Sequence, residues 1–253
     1  MDTSPRTHGS GDHTVLYLHG WFGSAQAGWG TEFVDTLDAD ACTHVFLDHR
    51  GYGRRRDEAG EFTLDEIARD ALAAADQLGA GTFSVVGHSM GGAAAQRVLS
   101  LAPDRVEAII GISPVPASPT PLDADGEALF GGAAQADENR ATIIDVTTGS
   151  RLSRRWIDAM VATSRTESTE EAFGAHFRSW VSADFADEVP GDAARSLAIV
   201  GAHDPALGEQ TIRATWCELM PSAEVVVLPD AGHYAMNEAP IRTATEINRF
   251  LAG

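Results

Sequence analysis

A serine set between two glycines, where an apolar strand meets a helix, limits what this chain can fold into more than any other stretch. Phe83 to Val86 reads as a short buried strand, and a helix is predicted over roughly Gly92 to Leu101. Gly87-His88-Ser89-Met90-Gly91 joins them. A serine at such a turn is held in a strained conformation that lifts its hydroxyl clear of the sheet. Gly87 and Gly91 are needed because a side chain at either position would collide with the neighbouring strand or helix. The first N–H groups of the helix point towards the serine. Such a turn can hold an alkoxide nucleophile beside an oxyanion site. The bare Gly-x-Ser-x-Gly pattern also occurs in ordinary glycine-rich turns, so its weight comes from the flanking elements and from residues nearer the C-terminus.

Strands and helices alternate around this turn. Val15–Leu18 reads as a strand, followed by the loop His19–Ser24 and a helix over Trp29–Leu37. Thr43–Leu47 is a second strand, ending in Asp48-His49-Arg50-Gly51-Tyr52-Gly53. Thr63-Leu64-Asp65-Glu66 fits a capping box, which opens an amphipathic helix to Leu78. Val106–Ile112 is nearly all apolar, as suits a parallel strand buried on both faces. The rhythm then breaks. From about Ser118 to Pro190 no strand is predicted, only helices near Asp125–Phe130, Asn139–Thr147, Ser153–Thr163 and Ser168–Val181, the last opened by a capping box at Ser168. The sheet resumes at Leu197–Val200 and Val225–Leu228, separated by a helix over Gln210–Met220 and closed by a helix from Pro240 to Leu251. This order predicts an α/β fold with a doubly wound, mostly parallel sheet. Residues 1–117 and 191–253 form its core, and 118–190 form an inserted helical subdomain.

Composition narrows the function classes. The formal net charge is −19, and all 18 basic residues are arginine. An acidic surface argues against nucleic acid and anionic membranes as partners, and leaves a small-molecule substrate, with a homo-oligomer compatible. The lysine-free composition suits GC-rich coding and adaptation to high salt alike. No apolar run approaches the ~20 residues needed to cross a bilayer. The first dozen residues read as a loose polar arm without an apolar signal segment, so a cytoplasmic location is expected. Cys42 and Cys217 lack metal-ligand spacing and read as small buried hydrophobes, with one disulfide between them left open. No metal or organic cofactor is expected.

Loops at the carboxyl ends of parallel strands carry the chemistry of such folds. Ser89, Asp204 in Gly201-Ala202-His203-Asp204, and His233 in Gly232-His233 each come just after a strand. Serine, aspartate, histidine is the chain order of the hydrolase triad on a parallel sheet. Serine is a weak nucleophile until a base takes its proton. His233 suits that task, and Asp204 suits fixing its tautomer. Together with His19-Gly20 and Asp48-x-Arg50-Gly51-x-Gly53, these motifs make the sequence resemble the α/β-hydrolase fold superfamily, in its capped, serine esterase-like branch, from Val15 to the end.

The resemblance implies that Ser89, Asp204 and His233 are catalytic. It also implies an oxyanion hole made by the N–H groups of Met90 and Trp21, with Phe22 the alternative to Trp21. Family members often begin with two antiparallel strands, for which the residues before Val15 are too few and too polar. About six parallel strands with at most one extra edge strand are therefore expected. The inserted helices would cap the site, with Phe22, Trp156, Met160, Phe177 and Trp180 as pocket candidates. The arginines at 151, 154, 155, 165 and 178 read as partners of nearby acids rather than as substrate anchors. Asp48 and Arg50 read as structural, and His88 as facing away from substrate. The expected activity is cleavage of a carboxylic ester or lactone through an acyl-enzyme. A carbon–carbon bond hydrolase acting on a diketone, and a slow-turnover ligand sensor on the same fold, are the alternatives.

Overall fold

The computed structural model describes residues 4–253. The strands are β1 (Arg6–His8), β2 (His13–Leu18), β3 (Cys42–Leu47), β4 (Phe83–His88), β5 (Val106–Ile112), β6 (Arg195–Gly201) and β7 (Glu224–Leu228). The helices of the first half are α1 (Thr31–Thr36), α2 (Leu64–Gln77) and α3 (Met90–Leu101). Between β5 and β6 stand α4 (Ala124–Gly132), α5 (Asp137–Thr147), α6 (Arg154–Glu167) and α7 (Glu170–Val181). The last part carries α8 (Glu209–Ala214), α9 (Trp216–Leu219), α10 (Ala235–Glu238) and α11 (Pro240–Leu251).

The strands form one sheet in the order β1-β3-β2-β4-β5-β6-β7. Neighbours from β3 to β7 run parallel, and only β1 is antiparallel, against β3. Part of the expected loose arm is therefore an edge strand, with Thr7 opposite Val45. The chain winds outward from β2 to β3, then returns across β2 to β4. Right-handed crossovers in these two directions place α1 and α2 on opposite faces. The reversal leaves a crevice between the carboxyl ends of β2 and β4. The loop at His19 and the Ser89 turn both open there.

The central strands lie in the core: Val15 to Leu18, Val85 and Val86, and Ile109 to Ile112 are fully covered. Leu64, Ile67, Ala68, Ala71 and Ala75 form the buried stripe of α2, a helical period that presents one face to the sheet. The Thr63 side chain accepts from the Glu66 N–H. The reciprocal half of the box is absent, because the Glu66 carboxylate accepts from Glu61 and Phe62 N–H instead.

Three helix expectations are corrected. The first helix is shorter than Trp29–Leu37 and begins at Thr31; Trp29 is packed edge-on against Tyr17 before it. The helix expected at Gln210–Met220 is broken at Thr215, where Trp216 turns inward and donates to Ser196 Oγ at 2.8 Å. The cap of α7 is Thr169 rather than Ser168, whose hydroxyl donates to Ser164 O at the end of α6. Both cysteines are free. Among the described residues no helix is long and apolar enough to cross a membrane.

Candidate active site

Ser89 joins β4 to α3 with φ +52 and ψ −118, a backbone state costly for any residue with a side chain. Its N–H donates to Ile112 O, and its carbonyl accepts from Gly92 and Val115 N–H. A Cβ added to Gly87 would lie 2.1 Å from Gly91 O, and one added to Gly91 would lie 2.1 Å from Leu18 O. Only glycine lets the helix approach the sheet this closely. The strain of the serine is thus imposed by strand and helix packing on both sides.

His233 comes after β7, and Asp204 after β6. His233 Nδ1 lies 2.7 Å from Asp204 Oδ2. Asp204 Oδ1 accepts from the N–H groups of Ala206 and Leu207, both at 3.0 Å, and its side chain is fully buried. Burial pushes this carboxyl up, but His233 and the two N–H groups outweigh it and hold it below the usual carboxylate range. An ionised acceptor makes Nδ1 the donor and leaves Nε2 with a lone pair. Among the described residues neither Ser89 Oγ nor His233 Nε2 has a hydrogen-bond partner.

Ser89 and His233 border one cavity of about 260 Å³. Trp21, Phe22 and Val115 wall it on the sheet side, and Phe130, Ile143 and Trp180 on the side of the inserted helices. Among the described residues no Arg, Asp or Glu lines it; its polar lining there is Ser89, His233, three threonines and Tyr234.

The loop after β2 is braced from several directions. Gly20 O accepts from Gly23 N–H and from His19 Nδ1–H at 2.8 Å. The Trp21 N–H, antiparallel to that carbonyl across a trans peptide, points away from both. The Trp21 indole donates to Phe173 O at 2.7 Å, and Tyr52 Oη donates to Trp21 O at 3.1 Å. Among the described residues the backbone N–H groups of Trp21, Phe22 and Met90 make no hydrogen bond. They can receive developing negative charge. His19 is fully buried, and burial lowers its pKa to about 4. It is neutral at physiological pH and serves the loop as a donor at Nδ1 and an acceptor at Nε2, where His49 N–H arrives at 3.3 Å.

Of the five pocket candidates, Phe22 and Trp180 line the cavity. Trp156, Met160 and Phe177 do not. Trp156 packs edge-on against Tyr234, with the rings 5.9 Å apart. Met160 packs against the hydrophobic core from α6. Phe177 is stacked among Trp21 and Phe130. Helical spacing marks their apolar faces, but those faces are taken up by neighbouring rings and helices. Ile143, Val115 and Leu207 also line the cavity, and sequence reasoning misses all three. Only Leu207 has a local signal, since the Asp204 carboxylate folds that turn back on itself.

The remaining assignments are structural. Asp48 accepts from Ala25 and Arg54 N–H, and Arg50 pairs with Asp70. His88 Nε2 donates to His233 O at 2.9 Å, and His88 does not line the cavity. Arg151 pairs with Glu238, Arg154 with Asp158 and Arg165 with Asp137, whereas among the described residues Arg155 and Arg178 form no ion pair, against the expectation. His203 is exposed.

Comparison with known proteins agrees with this architecture. The dihydrolipoyllysine-residue acetyltransferase component of the acetoin cleaving system of Cupriavidus necator is 30% identical over 244 residues, covering 91% of this chain and 61% of that protein. The corresponding protein of Pseudomonas putida is 29% identical, over 96% of this chain and 64% of its own length. The chain thus spans a little over three-fifths of these curated relatives. Among solved structures, a bromoperoxidase from Bacillus anthracis superposes with a TM-score of 0.85 at 18% identity, covering 98% of this chain and 95% of the other. An esterase from Exiguobacterium antarcticum superposes at 0.83 with 17% identity, over 98% and 95%. An enol-lactonase from Burkholderia xenovorans superposes at 0.82 with 19% identity, over 98% and 96%. At these identities the likeness speaks to fold. The family model described as alpha/beta hydrolase fold matches residues 13–240, most of the sequence, and the chain belongs to that family.

Proposed function

We propose that the protein is a serine hydrolase that cleaves a small, neutral carboxylic ester or lactone through an acyl-enzyme on Ser89. One observation carries the reading: a strained serine and a histidine paired to a buried aspartate open onto the same apolar cavity. Membership of the hydrolase family supports it.

His233 Nε2 takes the Ser89 proton as Oγ attacks the substrate carbonyl carbon. The oxygen that gains charge is received by the N–H groups of Met90 and Trp21, with Phe22 the alternative to Trp21. The imidazolium is stabilised by ionised Asp204 and gives its proton to the departing alkoxide as the C–O bond breaks. In a lactone that alkoxide stays tethered to the acyl group. Water then adds to the acyl carbonyl and gives a proton to His233. The acid leaves as the proton returns to Ser89. The helices of 118–190 act as the cap, closing the cavity over these atoms. A charged substrate would lose its hydration there without a partner, since among the described residues no Arg, Asp or Glu lines the wall.

Initial rates on a chain-length series of p-nitrophenyl esters and simple lactones test the reading, with Ser89→Ala beside the wild type. Serine-dependent turnover is expected, with a length optimum. An ester ending in a free carboxylate should be slower by about tenfold or more. Equal turnover by Ser89→Ala would overturn the assignment.

A second reading is favoured by the names of the two long relatives. The same acyl-enzyme could be discharged by a thiol instead of water, giving acyl transfer. Adding a dithiol to the assay separates the two, because transfer yields a thioester at the expense of the free acid.

A further inference from the structure

His233 sits in a loop that no helix or strand contains, so something else must hold its ring to the geometry a base requires. Glu238 carries that load. Its side chain is only 2% exposed. One oxygen, Oε2, accepts from the Gly232 N–H at 2.9 Å, and the other, Oε1, accepts from the Tyr234 N–H at 3.1 Å. The peptide N–H groups on either side of His233 thus end on one carboxylate. The intervening N–H, that of His233 itself, donates to Thr147 O at the end of α5. A buried carboxylate is costly alone. Arg151, just beyond α5, meets Oε2 with Nη1 at 2.8 Å and reaches back to Asp230 O with Nη2 at 2.9 Å.

We propose that Glu238 is a positioning residue for His233, and that Arg151 locks it in place from the inserted helical segment. Asp204 fixes the ring through Nδ1, and the Glu238–Arg151 pair fixes the backbone from which the ring hangs. Both N–H groups that flank His233 end on one carboxylate, so the loop is held on either side of the histidine without regular structure. The role rests on the reading of His233 as the base. It goes beyond that reading, because it makes the inserted segment part of the apparatus that orients the base.

The test compares Glu238→Ala, Glu238→Gln and Arg151→Met with wild type on one neutral p-nitrophenyl ester. It also tracks the downfield proton resonance of the hydrogen bond from His233 Nδ1 to Asp204. Glu238→Ala should lose about 10²-fold in kcat, the scale of a misplaced catalytic group, with KM changed by no more than about twofold. Its downfield resonance should broaden away at neutral pH. Glu238→Gln keeps one carbonyl acceptor and should recover part of the loss. Arg151→Met should lower kcat by about fivefold. A folded Glu238→Ala that keeps kcat within about threefold of wild type would overturn the proposal, as would a loss of kcat with the resonance unchanged. If Glu238→Ala does not fold, Glu238→Gln and Arg151→Met decide in the same way, and wild-type rates in both would overturn it. The resonance reports on the ring without turnover. A failure of the ester reading, with Ser89→Ala as active as wild type, is therefore distinguishable from a failure of this proposal.

Discussion

The Ser89 turn and the His233 loop border the same cavity and are held in opposite ways. Ser89 is fixed by backbone: a strand on one side, a helix on the other, and glycines at 87 and 91 that leave no room for a side chain. His233 is fixed by side chains that arrive from elsewhere: Asp204 after β6, Glu238 in α10, His88 beside Ser89, and Arg151 in the inserted segment. The backbone lock shows in five consecutive residues, although Leu18, Ile112 and Val115 close on it from neighbouring strands and loops. A side-chain clamp is distributed and depends on the whole fold being assembled. The half of the site that carries Ser89 should therefore tolerate almost no change of its own sequence. The half that carries His233 should be sensitive to changes far away in the chain.

The largest effect should come from breaking the side-chain clamp at its closest point. Asp204→Asn keeps the shape but presents an amide to His233 Nδ1, which favours the wrong tautomer. A loss of about 10⁴-fold in kcat is expected, with thermal stability near wild type. Steady-state rates and a melting curve check it, and a loss under about tenfold would show that Asp204 does not set the tautomer.

Breaking the backbone lock should cost stability rather than chemistry alone. A methyl at position 91 would meet Leu18 O at 2.1 Å, and the opposing atom is backbone, which cannot step aside. Gly91→Ala should lose about 3 kcal/mol or more in denaturant unfolding. An unchanged midpoint would mean that helix and strand can separate without penalty.

The smallest effect sharpens the comparison at the seam between sheet loops and inserted helices. His19 and His176 are fully buried there, with burial lowering their pKa values to about 4 and about 3. Above pH 6.5, the ordinary histidine value, neither folded nor unfolded chain holds the proton and the stability is complete. As pH falls below that value the unfolded chain binds protons that the folded chain refuses, and stability declines until the folded pKa is passed. Each such histidine steepens the slope by about 1.4 kcal/mol per pH unit. His176→Phe should make the loss of stability between pH 6 and pH 4 shallower by up to that amount. Unfolding curves across the interval check it, and an unchanged slope would mean that His176 titrates normally.

The same contrast explains what the sequence discloses. The succession of strands and helices along the chain, the Ser89 turn and the Thr63 cap depend on neighbouring residues, and each is legible. One extra edge strand is allowed for beside six parallel strands, as found, but its place at Arg6–His8 is not legible, because a three-residue polar strand has no pattern of its own and exists only by pairing with β3. Ser168 and Thr169 both suit a helix cap, and only the end of α6, which takes up the Ser168 hydroxyl, decides between them. Phe177 and Trp180 sit on the same helix with similar burial, yet one faces other rings and the other faces the cavity. Glu238 reads as an ordinary residue near a helix start until Gly232, Tyr234 and Arg151 are brought to it.

The proposed chemistry requires that Ser89 become acylated. Rapid mixing with excess p-nitrophenyl acetate, acid quenching within the first turnovers and peptide mass analysis tests it most directly. A burst of nitrophenol approaching one equivalent and an acetyl group on the peptide that contains Ser89 are expected, both absent in Ser89→Ala. Steady turnover with no adduct on that peptide, or with an equal rate in Ser89→Ala, would contradict it.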